Sequence, residues 1–252
     1  MKDLNNNFLG KDQKPGMDVS RVGLAVVGDE VLLGEVADEN VRLVGKEIGR
    51  IGADLVLALI LPDDDDSMVR HLTWMKEELD WVVITGGIGT THDDRTREVV
   101  SKVTGRPLRE DPRAVRFLEN RLGGPVPESL AVLAMVPEGA DLIENPGKSA
   151  QAFFVENLIV FPGIPRLVES MLGVLEENLT GCPVRTREIF SGLYESEIAS
   201  CVAEIQAGNP GVRIGSYPVT RESDHRVKLV IRSRDFEALE EAEKQLRARI
   251  PV

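Results

Sequence analysis

The stretch WVVITGGIGTTHDDRT, residues 81–96, joins an apolar run directly to a glycine-rich turn and a pair of aspartates. Its apolar, β-branched start is typical of a short strand that is buried on both faces. Similar runs precede it at residues 22–27 and 54–62, and the segments between them, 36–51 and 67–79, carry apolar residues at helical spacing. A β-α-β-α-β order with short connections predicts an α/β domain in which helices cover both faces of a parallel sheet.

Further elements extend this domain toward residue 178. Helical spacing recurs at residues 93–103 and 112–122, and two apolar runs, 152–155 and 158–161, are separated by only two residues. Such a short connection predicts a β-hairpin. We therefore expect one three-layer domain, with a parallel sheet between two layers of helices.

A different pattern begins after Cys182 and Pro183. Residues 184–190 alternate polar and apolar side chains, as in a half-buried strand. Further strand and helix patterns predict a small α+β second domain, and we place the domains at residues 21–178 and 179–252. The polar residues 1–20 have no apolar periodicity, so we exclude them from the fold as a disordered extension.

Composition excludes several classes of protein. The chain has 30 basic and 42 acidic side chains and a net charge of −12, so we expect no nucleic-acid partner. No run reaches the ~18 apolar residues of a transmembrane helix, and the N-terminal segment has no signal-peptide core. Cys182 and Cys201 form no CxxC pair, which excludes zinc ribbons and thioredoxin-like chemistry and indicates reduced thiols of a cytoplasmic protein.

The glycine loop Gly86-Gly87-Ile88-Gly89 is the most informative motif. It follows a strand of the predicted parallel sheet, at the edge where open α/β folds bind ligands. Glycines let an anion approach the backbone, and N–H groups that lead into a helix favour phosphate. Asp93 and Asp94 are hard oxygen ligands suited to Mg²⁺ or Mn²⁺, so the loop predicts a metal-assisted phosphate site. The same residues also fit a simple turn in which Asp93 caps the next helix.

Acidic residues follow the other two strands of the sheet. Asp29 and Glu30 come after the first strand, and the carboxyl ends of neighbouring parallel strands meet at one rim. Both could therefore face the glycine loop, although an exposed acidic turn fits equally well. The run of four aspartates at residues 63–66 is more typical of a solvated loop, and Asp63, nearest the strand, is the member best placed for a site.

Several named motifs are incomplete. His92 stands where a GxGxxG motif needs its third glycine, and Leu142 stands where a P-loop ending at Lys148 needs its first. The sequence contains no GxSxG elbow and no HExxH motif. Its three histidines are too few and too dispersed for a multi-histidine metal cluster.

Three segments together resemble a known family. They are VGLAVVGDEVLLGEVADEN at residues 22–40, VITGGIGTTHDDRT at 83–96 and FVENLIVFPGIPRLVESML at 154–172. They are similar to the molybdopterin-binding-type nucleotide pyrophosphatases, which include the N-terminal region of the CinA proteins and the N-terminal domain of eukaryotic FAD synthases. GSYP at residues 215–218 and VKLVI at 227–231 resemble the small second domain of the same family.

The resemblance implies a fold like that of the molybdenum-cofactor biosynthesis proteins and metal-dependent hydrolysis of a nucleotide pyrophosphate such as ADP-ribose or FAD. It implies catalytic roles for Glu30 and Asp94 and a divalent ion, Mg²⁺, Mn²⁺ or Co²⁺, on Asp93 and Asp94. Substrate or its phosphate would be bound by Asp29, Asn40, Gly86, Gly87, Gly89, Thr90, Thr91 and His92. Thr90 stands where the family usually has proline.

Two other functions fit the same sequence. One is a pterin- or molybdopterin-binding protein of cofactor biosynthesis without hydrolase activity, because fold alone does not fix function. The other is a regulatory nucleotide-binding module that has lost catalysis. In each case we expect a small-molecule nucleotide or pterin partner, no membrane partner, a cytoplasmic location and a homo-oligomer, either a dimer or a trimer.

Overall fold

The computed structural model describes residues 19–143, 145, 152–219 and 225–251. Its contacts divide the chain into two units, Met1–Gly181 and Cys182–Val252. The domain boundary predicted from the sequence, after residue 178, lies three residues earlier. Leu179 explains the difference, because its side chain is buried in an apolar cluster of the first unit.

The first unit alternates strands and helices in its N-terminal half and is less regular afterwards. Its elements are β1 (Arg21–Val27), α1 (Asp29–Leu32), α2 (Asn40–Ile51), β2 (Asp54–Leu61), α3 (Asp65–Glu78), β3 (Trp81–Thr85), α4 (Thr96–Thr104), β4 (Leu108–Glu110), α5 (Pro112–Leu122), a 3-10 helix (Glu128–Ala134), β5 (Met135–Pro137), β6 (Asp141–Ile143), β7 (Ala152–Val155), β8 (Leu158–Phe161), α6 (Pro165–Met171) and α7 (Gly173–Asn178).

A six-stranded sheet with the order β2-β1-β3-β8-β7-β6 forms the centre of this unit. β2, β1 and β3 run parallel, as predicted, and β8 continues the parallel part of the sheet beside β3. β7 and β8 pair antiparallel, with Val155 opposite Leu158, which confirms the predicted hairpin. The sheet is therefore parallel on one side and ends in an antiparallel edge formed by β7 and β6.

Apolar clusters on both faces of the sheet give the unit three layers. One face packs against α3 and α4, through residues such as Leu72 and Val99. The other packs against α2, α6 and α7, through residues such as Ile48 and Leu175. The predicted α/β three-layer architecture is confirmed. It leaves the carboxyl ends of β1, β3 and β8 together at one edge.

Two sequence predictions about the limits of ordered elements were wrong. Val19 and Ser20 are buried, and the Ser20 carbonyl accepts a hydrogen bond from the Asp54 N–H at 2.9 Å. They belong to the first unit, and the rest of the proposed extension, residues 1–18, lies outside the described residues. The helix predicted from residue 36 begins at Asn40, because the Asp38 carboxylate accepts the N–H groups of Asn40 and Val41.

The second unit is the predicted small α+β domain. Its elements are β9 (Arg185–Ser191), α8 (Glu195–Gly208), β10 (Val212–Pro218), β11 (Val227–Ser233) and α9 (Phe236–Arg249). The strands form an antiparallel sheet with the order β10-β11-β9. Both helices pack on this sheet around a separate apolar cluster that includes Leu229 and Leu246. Among the residues described, no helix is long and apolar enough to span a bilayer.

Candidate functional site

Three chain segments cross closely at the carboxyl ends of β1, β3 and β8. Gly86, directly after β3, has a φ of 99°, and its N–H donates to the Phe161 carbonyl at 3.1 Å. A Cβ at Gly86 would collide with the Val27 carbonyl oxygen, and a Cβ at Gly163 would lie 3.3 Å from the Gly86 Cα. Only glycine permits this backbone crossing, which fixes where the glycine loop leaves the sheet.

A cavity of about 890 Å³ opens beside this crossing, entirely within the first unit. Part of its lining is polar and consists of the glycine loop and nearby carboxylates. Another part is apolar and comes from α5 and the 3-10 helix. Of the predicted site residues, it is lined by Glu30, Gly86, Gly87, Gly89, Thr90, Thr91, Asp93 and Asp94.

The Asp94 carboxylate organises the glycine loop. One oxygen, Oδ1, accepts the Gly89 N–H at 2.7 Å, and the other, Oδ2, accepts the N–H and the hydroxyl of Thr91 at 2.8 and 2.5 Å. Both oxygens are therefore engaged inside the loop. The structure gives Asp94 a role in building the loop, and its predicted catalytic and metal-binding roles stay predictions.

The backbone N–H groups of the loop are not all available to a ligand. The Gly86 N–H is bonded to Phe161 and the Gly89 N–H to Asp94, so neither is free in this structure for the phosphate contact that the sequence predicts. Within the described part of the chain, the N–H groups of Gly87, Ile88 and Thr90 have no acceptor. All three residues line the cavity, and their N–H groups are the donors suited to an anion.

Asp93 does not cap α4, which was the alternative role that the sequence allowed for it. α4 begins at Thr96 and its N-cap is Arg95, which caps without its side chain. The Asp93 side chain is more than half exposed and faces the cavity. Its carboxylate is thus accessible to a cation or to solvent.

Glu30 and Asp63 form an acidic wall together with Asp93, since all three line the cavity. Burial raises the pKa of Asp63, and the charges of Asp29, Glu30 and Asp93 add to the increase. Asp63 also accepts the Asp29 N–H at 2.9 Å, and this hydrogen bond lowers the pKa of Asp63 and so opposes the increase. The burial and the nearby negative charges at Asp63 favour either a proton or a bound cation there.

Two of the other aspartates after β2 have structural roles. Asp64 caps α3 by accepting the Ser67 N–H at 2.8 Å. Asp65 pairs with Arg95 and Lys102 on α4, at 3.0 and 2.6 Å. The solvated-loop interpretation was therefore wrong for these two, and only Asp63 of the run reaches the cavity.

Three predicted substrate-binding residues do not line the cavity. Asp29 accepts the Asp63 N–H at 3.4 Å, and the His92 side chain is 98% exposed. Asn40 is buried at 4% exposure, and its Nδ2 donates to the Gly163 carbonyl at 2.8 Å. Asn40 thus supports the backbone crossing at Gly163 from the protein interior, and its predicted part in orienting a ligand stays a prediction.

Sequence reasoning missed the apolar side of the cavity and one buried cation. The apolar side consists of Phe117, Leu118, Leu122, Leu130 and Leu133, with Arg121 among them. The cation is Arg97, which is 3% exposed and also lines the cavity. Burial lowers its pKa to about 10, so it stays protonated at neutral pH. The helical spacing of α5 indicated its buried face, but no local signal linked it to the glycine loop.

The donor set suits a hard divalent ion that takes part of its coordination from a ligand. No group of three or more His, Cys, Asp or Glu side chains suited to a metal occurs within the ranges the structure describes. Mg²⁺ commonly uses one or two carboxylates, substrate phosphates and water. One or two of the cavity carboxylates Glu30, Asp63 and Asp93 could meet that requirement, whereas both oxygens of Asp94 already accept hydrogen bonds.

The chain is similar in sequence to several known proteins and in fold to a solved structure. A protein of Archaeoglobus fulgidus is 29% identical over 219 residues, covering 87% of this chain and 93% of that protein. A putative competence-damage inducible protein of Clostridium botulinum is 27% identical over 80% of this chain, which spans only 52% of that relative's length. The crystal structure of the protein CinA with unknown function from Thermoplasma acidophilum aligns with a TM-score of 0.59 and 27% identity, over 63% of this chain and 97% of that one.

Two family models match different parts of the chain. The model described as FAD synthase, middle domain, matches residues 183–252, which is nearly the whole second unit. The model described as probable molybdopterin binding domain matches residues 23–194 and so contains the glycine loop and the acidic wall. The match to the probable molybdopterin binding domain spans more than half of the sequence. The chain therefore belongs to the probable molybdopterin binding domain family, in agreement with its resemblance to the N-terminal region of the CinA proteins.

Proposed function

We propose that the chain is a metal-dependent nucleotide pyrophosphatase, with ADP-ribose or an FAD-like dinucleotide as substrate. The observation that carries this proposal is one cavity with two chemically different sides. A glycine loop and the carboxylates of Glu30, Asp63 and Asp93 line this cavity together with apolar side chains of α5 and the 3-10 helix. A nucleoside diphosphate has the same division between charged phosphates and a planar ring.

Each side of the cavity has a separate task in this proposal. The N–H groups of Gly87 and Thr90 bind one phosphate, and the apolar side packs against a ring of the substrate. Glu30 receives the proton of the attacking water as a general base. Asp63 and Asp93 hold the divalent ion, and when bound that ion polarises the scissile phosphoryl group and lowers the pKa of water. Cleavage of the P–O–P bridge then gives two phosphomonoesters.

A hydrolysis screen tests the proposal. The protein is incubated with ADP-ribose, FAD and NAD, each with Mg²⁺, Mn²⁺ or Co²⁺ and with a chelator, and the products are identified by mass spectrometry. We expect AMP from at least one substrate, only when a divalent ion is present. Unchanged substrates under every condition would contradict the assignment, and binding without turnover would favour a regulatory module.

Glu30→Gln tests the base separately. The substitution removes a charge at the cavity while keeping the size of the side chain, so we expect more than a tenfold loss of turnover, or over ~1.4 kcal/mol in the barrier. Glu35→Gln is the matched control, because Glu35 is exposed and does not line the cavity. Equal turnover in the two variants would contradict the role of Glu30.

Pterin binding without hydrolysis is the second candidate. The description of the family supports it, and the apolar side of the cavity could hold a pterin ring as readily as a nucleobase. Fluorescence titration with a pterin, beside the hydrolysis screen, separates the two: tight pterin binding with no dinucleotide cleavage favours the second.

We also propose a cytoplasmic homodimer or homotrimer. Resemblance to the family supports the assembly, and the two free cysteines suit a reducing compartment. Light scattering coupled to size exclusion would give the oligomeric state, and a monomer at micromolar concentration would contradict it.

A further inference from the structure

Arg97 is a buried cation directly behind the glycine loop. It is the second residue of α4, and only 3% of it is exposed. Within the described residues, no carboxylate oxygen forms an ion pair with its guanidinium, and its Nε has no hydrogen-bond partner. The nearest charges acting on it are those of Asp94 and Glu98. A buried charge without an ion pair is costly to the fold, so its position calls for a physical explanation.

The guanidinium contacts the carbonyl side of the loop. Nη1 donates to the Ile88 carbonyl at 2.5 Å and approaches the Gly89 carbonyl at 3.4 Å. In a trans peptide unit, the C=O and the next N–H point in opposite directions. Because both carbonyls turn toward Arg97, the N–H groups of Gly89 and Thr90 turn away from it.

These two N–H groups have different partners. The Gly89 N–H is held by Asp94 at 2.7 Å. The Thr90 N–H has no acceptor in the described part of the chain, and Thr90 lines the cavity. Arg97 thus binds carbonyl groups of the loop, and Asp94 binds the Gly89 N–H. Together these contacts leave the Thr90 N–H available to a ligand.

We propose that Arg97 is the positioning residue of an anion site on the glycine loop, selecting a phosphate or diphosphate group. It acts by fixing the direction of the Thr90 N–H and by placing an unpaired positive charge behind the loop. This inference rests on the phosphate-binding part of the proposed function. Its ligand is defined by charge and by backbone donors, so it does not require hydrolysis.

The test measures binding of inorganic pyrophosphate by calorimetry, without divalent metal, at two salt concentrations. We expect Arg97→Gln to weaken binding at least tenfold. Arg97→Lys keeps the charge, but a shorter, flexible ammonium replaces the guanidinium whose Nη1 lies beside the Ile88 and Gly89 carbonyls, so we expect about a threefold to tenfold loss. Arg95→Lys and Arg95→Gln are the matched controls, since Arg95 pairs with Asp65 and does not line the cavity. We expect both to bind like the wild type.

If neither Arg97 variant folds, the anion site is tested on the wild-type protein by NMR. In amide NMR spectra of the full chain, pyrophosphate should shift the Thr90 signal among the most strongly perturbed. An affinity within twofold of wild type in a folded Arg97 variant, or an unmoved Thr90 amide at saturating pyrophosphate, would overturn the inference. Pyrophosphate binding that depends on Arg97, together with no dinucleotide cleavage, would overturn only the proposed hydrolase.

Discussion

Asp94 accepts three hydrogen bonds from its own loop, so its substitution tests loop structure before chemistry. In Asp94→Asn one oxygen becomes an NH₂ group that faces a donor. We expect a loss of about 1–3 kcal/mol in the free energy of unfolding, because charge-assisted bonds are lost and a donor is left unpaired. That corresponds to at least about 2 °C in the thermal midpoint.

Calorimetry of Asp94→Asn beside Asp93→Asn checks this prediction. Asp93 is exposed, and surface changes of this kind usually stay within about 0.5 kcal/mol. An Asp94→Asn protein that melts like the wild type would show that the loop does not depend on this carboxylate.

Single residues also show where sequence reasoning about the site succeeded. The glycines and aspartates after β3 were identified because their side-chain chemistry is visible in the sequence, and most of them line one cavity. Arg97 was missed, and His92 was predicted at a site that its side chain does not line, for one physical reason. Side-chain direction depends on the turn that leads into α4, where Asp94 folds back on the loop and delays the helix to Thr96.

At the level of elements, α3 and α4 are tied by Asp65. Its carboxylate bonds to Arg95 at 3.0 and 3.1 Å and to Lys102 at 2.6 Å, which lowers its pKa from 3.8 to about 2. Because the folded-state pKa is lowered, the stabilisation is present above pH 3.8 and is lost as the pH falls toward 2. A quarter of the side chain is exposed, so we expect about 1–2 kcal/mol after solvent screening.

Denaturant unfolding of Asp65→Asn at several pH values measures how much these ion pairs contribute to the free energy of unfolding. We expect the variant to be less stable than wild type at pH 7 by that amount and nearly equal to it near pH 2. Asp66→Asn, an exposed neighbour, controls for loss of charge at the start of α3. A deficit of the same size at pH 7 and near pH 2 would mean that the ion pair is not its source.

Elements with continuous patterns were predicted well. β3 was predicted at its observed bounds, because a purely apolar run between a charged residue and a glycine leaves little choice of register. α5 was also correct, since Asp111, Pro112 and Gly123 mark its ends. The region between α5 and β7 was predicted only as turn-rich. Its strands are three residues long and are stabilised by partners distant in sequence, such as β4 for β5.

On the scale of the whole molecule, each unit has its own apolar core. Leu246 is fully buried in the second unit, and Leu246→Ala should cost that unit about 2–5 kcal/mol through the cavity it creates. Both tryptophans, Trp74 and Trp81, lie in the first unit. We therefore expect the variant to keep the wild-type midpoint by tryptophan fluorescence and to lose part of its circular dichroism signal at lower denaturant.

Leu175→Ala is the matched change in the first unit, where the same side chain is fully buried. We expect this variant to lower the fluorescence midpoint. The cavity lies wholly in the first unit, so Leu246→Ala should also retain pyrophosphate binding. A joint fall of the fluorescence and dichroism midpoints in Leu246→Ala would show that the units unfold as one.

The most direct test of the central claim is the metal dependence of dinucleotide cleavage in Asp93→Asn. AMP release from ADP-ribose, or from whichever dinucleotide the screen identifies, is measured against Mn²⁺ concentration for wild type, Asp93→Asn and the control Asp66→Asn. If Asp93 helps to hold the ion at the acidic wall, half-maximal cleavage in Asp93→Asn requires at least tenfold more Mn²⁺, at an unchanged melting temperature. A wild-type Mn²⁺ dependence in the folded Asp93→Asn protein, or no metal-dependent cleavage by the wild type, would contradict the account.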